Sequence, residues 1–309
     1  MEAGWDCLVV GAGPAGLSAA LYLARYRRRV LVLHDGKARA ARIPRTHNVP
    51  GFPDGIAGPA LLERMAEHAT RFGAVIREAE VVRAEHTDGR FLLHTADGNT
   101  VACNALILAT GLHLNQIPLP DDVHEAAIRA NVLRYCPVCD GYEHIDRRIA
   151  VIGCDANGAD EALFLRDYTA HLTLLPRSHA ELSATRRAEL AAAGIRVEDR
   201  PVARYAPHAQ GFDIHLEGDA APMQFDVVYP ALGVRQRTEL AAMLGLPLGE
   251  AGCVAATSPL GTAVPGLYCA GDIVEGLDQI SVALGHGAVA ATRAHNWLRD
   301  QAARAMHCR

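Results

Sequence analysis

The strongest constraint on this chain is that one pattern occurs twice: a short apolar strand, a glycine-containing turn, a helix and a second strand. The first copy runs Cys7-Leu-Val-Val10, then Gly11-Ala-Gly13-Pro14-Ala15-Gly16, a helix over about 17–26 and a strand over 30–33. The second runs over 148–152, then Gly153-Cys-Asp-Ala-Asn-Gly158, a helix to about 168 and a strand over 172–175. In such a unit the glycines let the backbone turn tightly and approach a pyrophosphate, whose charge sits at the helix N-terminus. Two copies predict an α/β fold of two Rossmann-like, three-layer nucleotide-binding domains. At 309 residues the chain has the length for both.

Between the copies the order of elements predicts an insertion. After the strand at 30–33, the acid that would hold a ribose falls by count on His34, with Asp35 next. Asp35 is preferred, because a carboxylate accepts from two hydroxyls at once. A loop rich in Gly, Pro and Arg follows, then a helix over about 60–72. Short alternating strands read over 74–77, 80–85, 91–95 and 100–103, with Asp88-Gly89 and Asp97-Gly98 as hairpin turns. A strand over 105–108 ends in Ala109-Thr110-Gly111. In the second half, 195–198 reads as a strand, and 212–216 pairs with 223–228 around Gly218-Asp219. Segments bearing Pro or Gly at 114–120 and 244–249 carry the chain out of the first domain and back. The expected domains are therefore 1–116 with 247–309, and 117–246 inserted between them, with hinge motion at the crossings. After the return come Gly271-Asp272, Gln279-Ile280-Ser281 and a small-residue helix to about 297.

At the head of the insertion stands Tyr135-Cys136-Pro-Val-Cys139-Asp140-Gly-Tyr-Glu143. Two thiols at this spacing can close a small ring and cycle between dithiol and disulfide. Pro137 suits the first turn of a helix, whose N–H groups would favour a thiolate at Cys136 or Cys139. Asp140 could deliver and remove the protons that this chemistry needs. The motif alone also fits half of a zinc site or two packed cysteines.

Composition excludes several function classes. A net charge of −5 and 5% aromatic residues offer neither a basic field nor stacking platforms for nucleic acid. No apolar run approaches the roughly 18 residues of a membrane helix, and the N-terminus does not read as a signal peptide. Eight cysteines without a secretory signal read mostly as free thiols in a reducing cytoplasm. Cys7, Cys103 and Cys269 fall in apolar runs and read as core residues.

Taken together, Gly11-x-Gly13-x-x-Gly16, Ala109-Thr-Gly111, Gly271-Asp272 and Cys136-x-x-Cys139-Asp140, in this order, resemble the low-molecular-weight thioredoxin reductase family of FAD-dependent pyridine nucleotide-disulfide oxidoreductases. The resemblance spans essentially the whole chain. It implies FAD in the outer domain, with Gly11, Gly13, Pro14, Ala15 and Gly16 as the pyrophosphate loop. His34, Asp35 and Arg42 stand near the adenosine end by position. Asn48 matches the asparagine near the ribityl chain, and Ala109, Thr110 and Gly111 the strand-end turn beside the cofactor. Gly271 and Asp272 match the ribityl and phosphate region, and Gln279 and Ile280 the pyrimidine edge of the flavin. It further implies that Cys139 faces the flavin, that Cys136 attacks the partner's disulfide and that Asp140 is the acid. A thioredoxin-like protein or small disulfide as partner, a homodimer and alternating domain orientations are implied as well.

The chain departs from the family where the electron donor binds. Asp155 stands in place of the middle glycine of Gly153-x-x-x-x-Gly158, where its carboxylate would meet the incoming pyrophosphate. Only Arg177 is present where NADPH-specific relatives carry paired arginines. The Gly-Gly-Gln segment expected after the second strand is replaced by Gly36-Lys-Ala-Arg-Ala-Ala-Arg42, and His286 interrupts the last small-residue helix. These departures resemble a side branch that keeps FAD and the cysteine pair but has lost normal NADPH binding. The expected function is an FAD-dependent thiol-disulfide oxidoreductase. The alternatives are a dithiol oxidase independent of NADPH, an enzyme with a second flavin or another donor in the inserted domain, and a redox-inert flavin-binding protein.

Overall fold

The structure is a computed structural model; it describes residues 4–153, 155–176, 182–249, 251–255 and 261–307. In chain order the strands are β1 (Trp5–Val10), β2 (Val30–His34), β3 (Val75–Glu78), β4 (Val81–Thr87), β5 (Arg90–Thr95), β6 (Thr100–Leu108), β7 (Leu112–Leu114), β8 (Ile149–Ile152), β9 (Leu172–Leu175), β10 (Arg196–Val197), β11 (Val202–His208), β12 (Gly211–Leu216), β13 (Met223–Phe225), β14 (Val227–Pro230), β15 (Val234–Gln236) and β16 (Leu267–Cys269). The helices are α1 (Pro14–Arg25), α2 (Gly58–Arg71), α3 (Asp121–Arg129), α4 (Pro137–Asp140), α5 (Ala156–Leu165), α6 (Ala184–Ala192), α7 (Glu239–Met243) and α8 (Ile280–His307). The chain divides into two compact units. Unit 1 comprises 1–42, 56–113 and 235–309, and unit 2 comprises 43–55 and 114–234.

Unit 1 is built on one sheet ordered β3-β2-β1-β6-β5-β4, with β16 also paired to β6. The strands β1, β2, β3, β6 and β16 run parallel, and β4 and β5 are antiparallel additions. Because strand side chains alternate, β1 divides between two cores. Cys7 and Val9 join Ala19, Leu23, Ala290 and Ala294 of α1 and α8. Leu8 and Val10 join Phe91, Leu93 and Leu240 on the opposite face.

Two sequence expectations change here. The strands expected at 100–103 and 105–108 form a single strand, β6, with the exposed Asn104 at its middle. A nine-residue strand serves both neighbours, antiparallel to β5 and parallel to β1. The last helix runs on to His307 rather than stopping near 297.

Unit 2 holds a parallel sheet ordered β10-β9-β8-β14 and a three-stranded antiparallel sheet β11-β12-β13. Ile149 and Val151 face Ala159, Ala162 and Leu165 of α5, while Ala150 and Ile152 face Phe212 and Ile214 of the smaller sheet. The segment expected as one strand over 223–228 divides: β13 pairs with β12, and β14 joins β8. Asp226 sits at the break, and its carboxylate accepts from the backbone N–H of Arg148 at 2.8 Å and pairs with the Arg148 guanidinium. Strand β11 and helices α3, α6 and α7 were not expected from the sequence. The chain leaves unit 1 after His113 and re-enters it at Arg235, so the segment 244–249 lies within unit 1.

Candidate functional site

The two glycine turns repeat atom for atom in their packing. Gly11 has φ +111°, and a Cβ there would lie 2.2 Å from the carbonyl oxygen of Ala109. Gly153 has φ +137°, with 2.7 Å to that of Ala231. A Cβ on Gly16 would meet the Gly11 oxygen at 1.8 Å, and one on Gly158 the Gly153 oxygen at 1.6 Å. The N–H of Gly11 reaches the oxygen of Leu33 as that of Gly153 reaches Leu175, each at 2.8 Å. No side chain larger than hydrogen fits these places, which is why both copies carry the motif.

At the helix entrances the copies part. Gly13 caps α1 with no side-chain hydrogen bond, Pro14 occupies the first turn, and no acid follows there. Nothing lies within 4 Å of a Cβ built on Gly13. The space beside Gly13 is thus open where α1 begins, and a helix N-terminus suits an anion. In the second copy Asp155 caps α5, and its Oδ1 accepts from the N–H of Gly158 at 2.9 Å. A carboxylate already holds the place of a phosphate there. Burial, with the Asp155 charge added, pushes the nearby Glu161 up to about 7. A pyrophosphate would meet one fixed anion and a second acid beside it. Arg177 lies outside the described residues.

In unit 1 a cavity of about 400 Å³ opens at the carboxyl ends of β1 and β2, lined among others by Gly11, His34, Asp35, Thr110 and Arg237. Such crevices bind nucleotides in this fold. Asp35, the preferred ribose residue, is held by Arg237 at 2.6 Å and accepts from the N–H of Lys37 at 3.0 Å. Burial raises its pKa, but these bonds outweigh burial and hold it below the usual carboxylate range. His34 accepts from the N–H of Gly36 at Nδ1, 3.1 Å away. Thr110 donates to the Arg237 carbonyl at 2.6 Å, and Gly111 accepts from the Arg237 N–H at 2.9 Å. A depressed carboxylate stabilises the fold above its unfolded pKa and loses that contribution as pH falls through the folded value. Arg237→Met is therefore expected to cost about 1 kcal/mol near neutrality, a modest figure because the pair is partly solvated. The difference should shrink in thermal melts as the pH is taken down below the ordinary carboxylate pKa and Asp35 takes up its proton.

The far end of the same unit is also pre-arranged. Gly271 packs against Ala15, where its own Cβ would come within 2.8 Å of the alanine Cβ. Asp272 pairs with Arg39 at 3.0 Å, and Arg39 also donates to the Asp278 carbonyl at 2.9 Å. Burial raises the Asp272 pKa, against the opposing pull of Arg39 and His286, and burial beside Asp272 pushes Asp278 up to about 6. Gln279 accepts from the N–H of Ala283 at 2.9 Å as α8 begins at Ile280. Arg42 closes a single 3₁₀ turn over Arg39–Arg42. Arg39 was missed by sequence reasoning, although it lies in the segment that replaces Gly-Gly-Gln.

In unit 2, Cys136 and Cys139 form a disulfide with Cα atoms 5.2 Å apart, at the start of α4. The helix expected after Pro137 is only four residues long and passes into a 3₁₀ turn over Gly141–His144, so it supplies little dipole. Asn48 belongs to this unit, where its amide donates to the Val138 carbonyl at 3.5 Å and its oxygen accepts from Thr46 at 2.8 Å. His47 meets Glu143 at 2.9 Å. Cys103 and Cys269 are fully buried, and burial pushes both thiols up to about 12, which leaves them inert.

Asp140, which follows Cys139 in the chain, is buried. Its Oδ1 accepts from the Tyr229 hydroxyl at 2.6 Å, and its Oδ2 is bonded to Nε of Arg134. Arg134 and Tyr229 are buried as well. His144 packs edge-on to Tyr229 with ring centroids 6.0 Å apart, and burial lowers its pKa. None of these three partners was foreseen. Arg134 stands six residues before Asp140 and Tyr229 interrupts an apolar strand, and both were signals in plain view.

The pattern of the pyridine nucleotide-disulphide oxidoreductase family matches residues 5–287. A thioredoxin reductase of Coxiella burnetii is 30% identical over 315 residues, covering 94% of this chain and 95% of that protein. A thioredoxin reductase of Mycolicibacterium smegmatis is 29% identical, covering 96% and 97%. The crystal structure of HlmI superposes with a TM-score of 0.89 at 30% identity, covering 100% of this chain and 97% of that one. No helix among the described residues is long and apolar enough to cross a membrane. The paired glycine turns, the Cys136–Cys139 disulfide and these full-length likenesses agree: the chain belongs to the pyridine nucleotide-disulphide oxidoreductase family, as a flavin-dependent enzyme of its low-molecular-weight thioredoxin-reductase-like group.

Proposed function

We propose that this enzyme passes electrons through FAD in unit 1 to the Cys136–Cys139 disulfide and on to a disulfide of a thioredoxin-like protein or small molecule, without using NADPH as an efficient donor. The observation that carries this reading is the contrast between the two turns. The open entrance of α1 suits a cofactor pyrophosphate, and the entrance of α5 is filled by Asp155. Gly11, Gly13, Pro14, Ala15 and Gly16 would hold the phosphates, Asp35 the ribose, and Asp272, Gln279 and Ile280 the flavin end. When bound, FAD supplies two-electron chemistry. The dithiol then acts alone. The Cys136 thiolate attacks one sulfur of the partner's disulfide, forming a mixed disulfide and releasing a partner thiolate. Cys139 attacks Cys136, restoring the internal bond and releasing the second partner thiol. We place the enzyme in a reducing cytoplasm and infer a homodimer by analogy with its relatives.

The same closed entrance also favours a second reading, in which the chemistry runs backwards and a small dithiol is oxidised at the expense of oxygen.

The test is anaerobic titration with NADPH and NADH while following flavin absorbance, together with a count of flavins per chain. The wild type should stay oxidised with stoichiometric NADPH. Asp155→Gly, which opens the α5 entrance at a cost of a few tenths of a kcal/mol in capping, should gain measurable reduction. Prompt bleaching of the wild type would overturn the reading of the closed turn. More than one flavin per chain would assign unit 2 to a second flavin.

A further inference from the structure

The acid that should hold a ribose stands one place late in this chain: the count gives His34, and the carboxylate is Asp35. His34 is the last residue of β2, and its Nδ1 accepts from the N–H of Gly36 at 3.1 Å. Asp35 lies beyond the paired part of the strand, so the ladder with β3 does not set its direction. A distant residue does. Arg237 donates to Oδ2 of Asp35 at 2.6 Å, while the N–H of Lys37 donates to Oδ1 at 3.0 Å. Arg237 is in turn fixed through its main chain. Its N–H is bonded to the Gly111 carbonyl at 2.9 Å, and its own carbonyl accepts from the Thr110 hydroxyl at 2.6 Å. One residue thus ties together three of the positions expected to hold the cofactor, all within unit 1. Asp35, Thr110 and Arg237 line the same cavity, with Gly11 of the open turn.

The charges in this cavity suit a neutral diol. Burial pushes the Asp35 pKa up, and its bonds to Arg237 and Lys37 more than reverse that push, so Asp35 is an acceptor across the neutral range. A carboxylate offers about four acceptor sites. The two bonds above leave capacity for two adjacent hydroxyls. Glu80, Glu239 and His113 also line the cavity. Glu239 pairs with Arg235 at 3.4 Å, and burial, then Arg237 and Arg235, disfavour the charged form of His113. Arg237 is therefore the cation that serves Asp35.

We propose that Arg237 is a positioning residue for the adenosine end of the cofactor: it fixes the carboxylate of Asp35 at the cavity, so that an acid one place beyond the expected position recognises the ribose hydroxyls. This rests on the reading above that FAD occupies unit 1. Arg237 acts through Asp35, and its contribution should disappear when that carboxylate or the ribose hydroxyl is removed.

The experiment frees the full-length chain of its flavin and titrates it with FAD and with the FAD analogue that lacks the adenosine 2′-hydroxyl, following flavin fluorescence. The ratio of the two dissociation constants is the readout, because a merely structural loss weakens both ligands alike and leaves the ratio unchanged. The wild type should bind the analogue about tenfold more weakly, the scale of one hydrogen bond to a charged group. Asp35→Ala should bring the ratio close to one. Arg237→Met, which keeps an apolar stem in place, should weaken FAD about tenfold and also bring the ratio toward one. Arg237→Lys, which still offers a cation to Asp35, should recover most of the ratio. In the Asp35→Ala/Arg237→Met double variant the ratio should match that of Asp35→Ala alone. Where Arg237→Met folds poorly, Arg237→Gln takes its place. A wild-type ratio of one would overturn the proposal. So would an Arg237 variant that melts lower or binds FAD less tightly yet keeps the wild-type ratio. A wild-type chain that binds no FAD would sink the flavin reading itself, whereas FAD binding without discrimination sinks this inference alone.

Discussion

Cys136→Ser is expected to lower reduction of a protein disulfide by about 10³-fold or more, the scale of losing a nucleophile that acts as a unit with its partner. Flavin content should not change, because the pair lies in unit 2 and the open turn in unit 1. The two cysteines are not equivalent in the proposed scheme, and single variants separate them. With Cys139→Ser, attack by Cys136 can proceed but the resolving step cannot, so a covalent adduct with an oxidised thioredoxin-like protein should accumulate on non-reducing gels. With Cys136→Ser the same mixture should yield little adduct. A faster adduct in Cys136→Ser than in Cys139→Ser would reverse the assignment. The four remaining described cysteines are buried, and they should not confuse the measurement.

The second large effect lies within unit 1, where α1 packs against α8. A Cβ on Gly287 would sit 2.2 Å from the carbonyl oxygen of Ala15 and 2.8 Å from the Cβ of Ser18. Gly287→Ala is therefore expected to destabilise the protein by about 3 kcal/mol, the cost of forcing packed backbone apart. Because Ala15 belongs to the open turn, flavin should be retained less well on dialysis. Gly285→Ala, two residues away in the same helix, is the internal control. Nothing lies within 4 Å of its Cβ. There the ordinary helix preference for alanine should prevail, with a gain of up to about 1 kcal/mol. Opposite signs in two thermal melts would tie the loss to backbone approach. A matching sign for both would remove that explanation.

Much of the architecture was legible because it is written in short-range spacing. Apolar runs of four to five residues before each glycine turn correspond to β1 and β8, and the Asp88-Gly89 turn to the β4–β5 hairpin. The errors have a common physical cause. Local pattern divided β6 at Asn104, but one polar residue on an exposed position does not end a strand that has neighbours on both sides. The same pattern joined β13 to β14, whereas Asp226, through its ties to Arg148, turns the chain from one sheet to the other. Helix α4 was expected to lend its N-terminal N–H groups to the cysteines, and it ends after one turn.

The sequence by itself determined the family, the two nucleotide-type units, the close cysteine pair and the misplaced Asp155. Each of these depends on residue types a few positions apart, so chain geometry alone brings them together. Only the tertiary structure decided what those residues meet. It showed that Asp155 turns onto the N–H of Gly158 and closes its own turn. It also brought Tyr229 to Asp140 across 89 residues and Arg237 to Asp35 across 202. Partners so distant along the chain are chosen by sheet order and core packing. No periodicity or motif records that choice, because it exists only once the strands have paired.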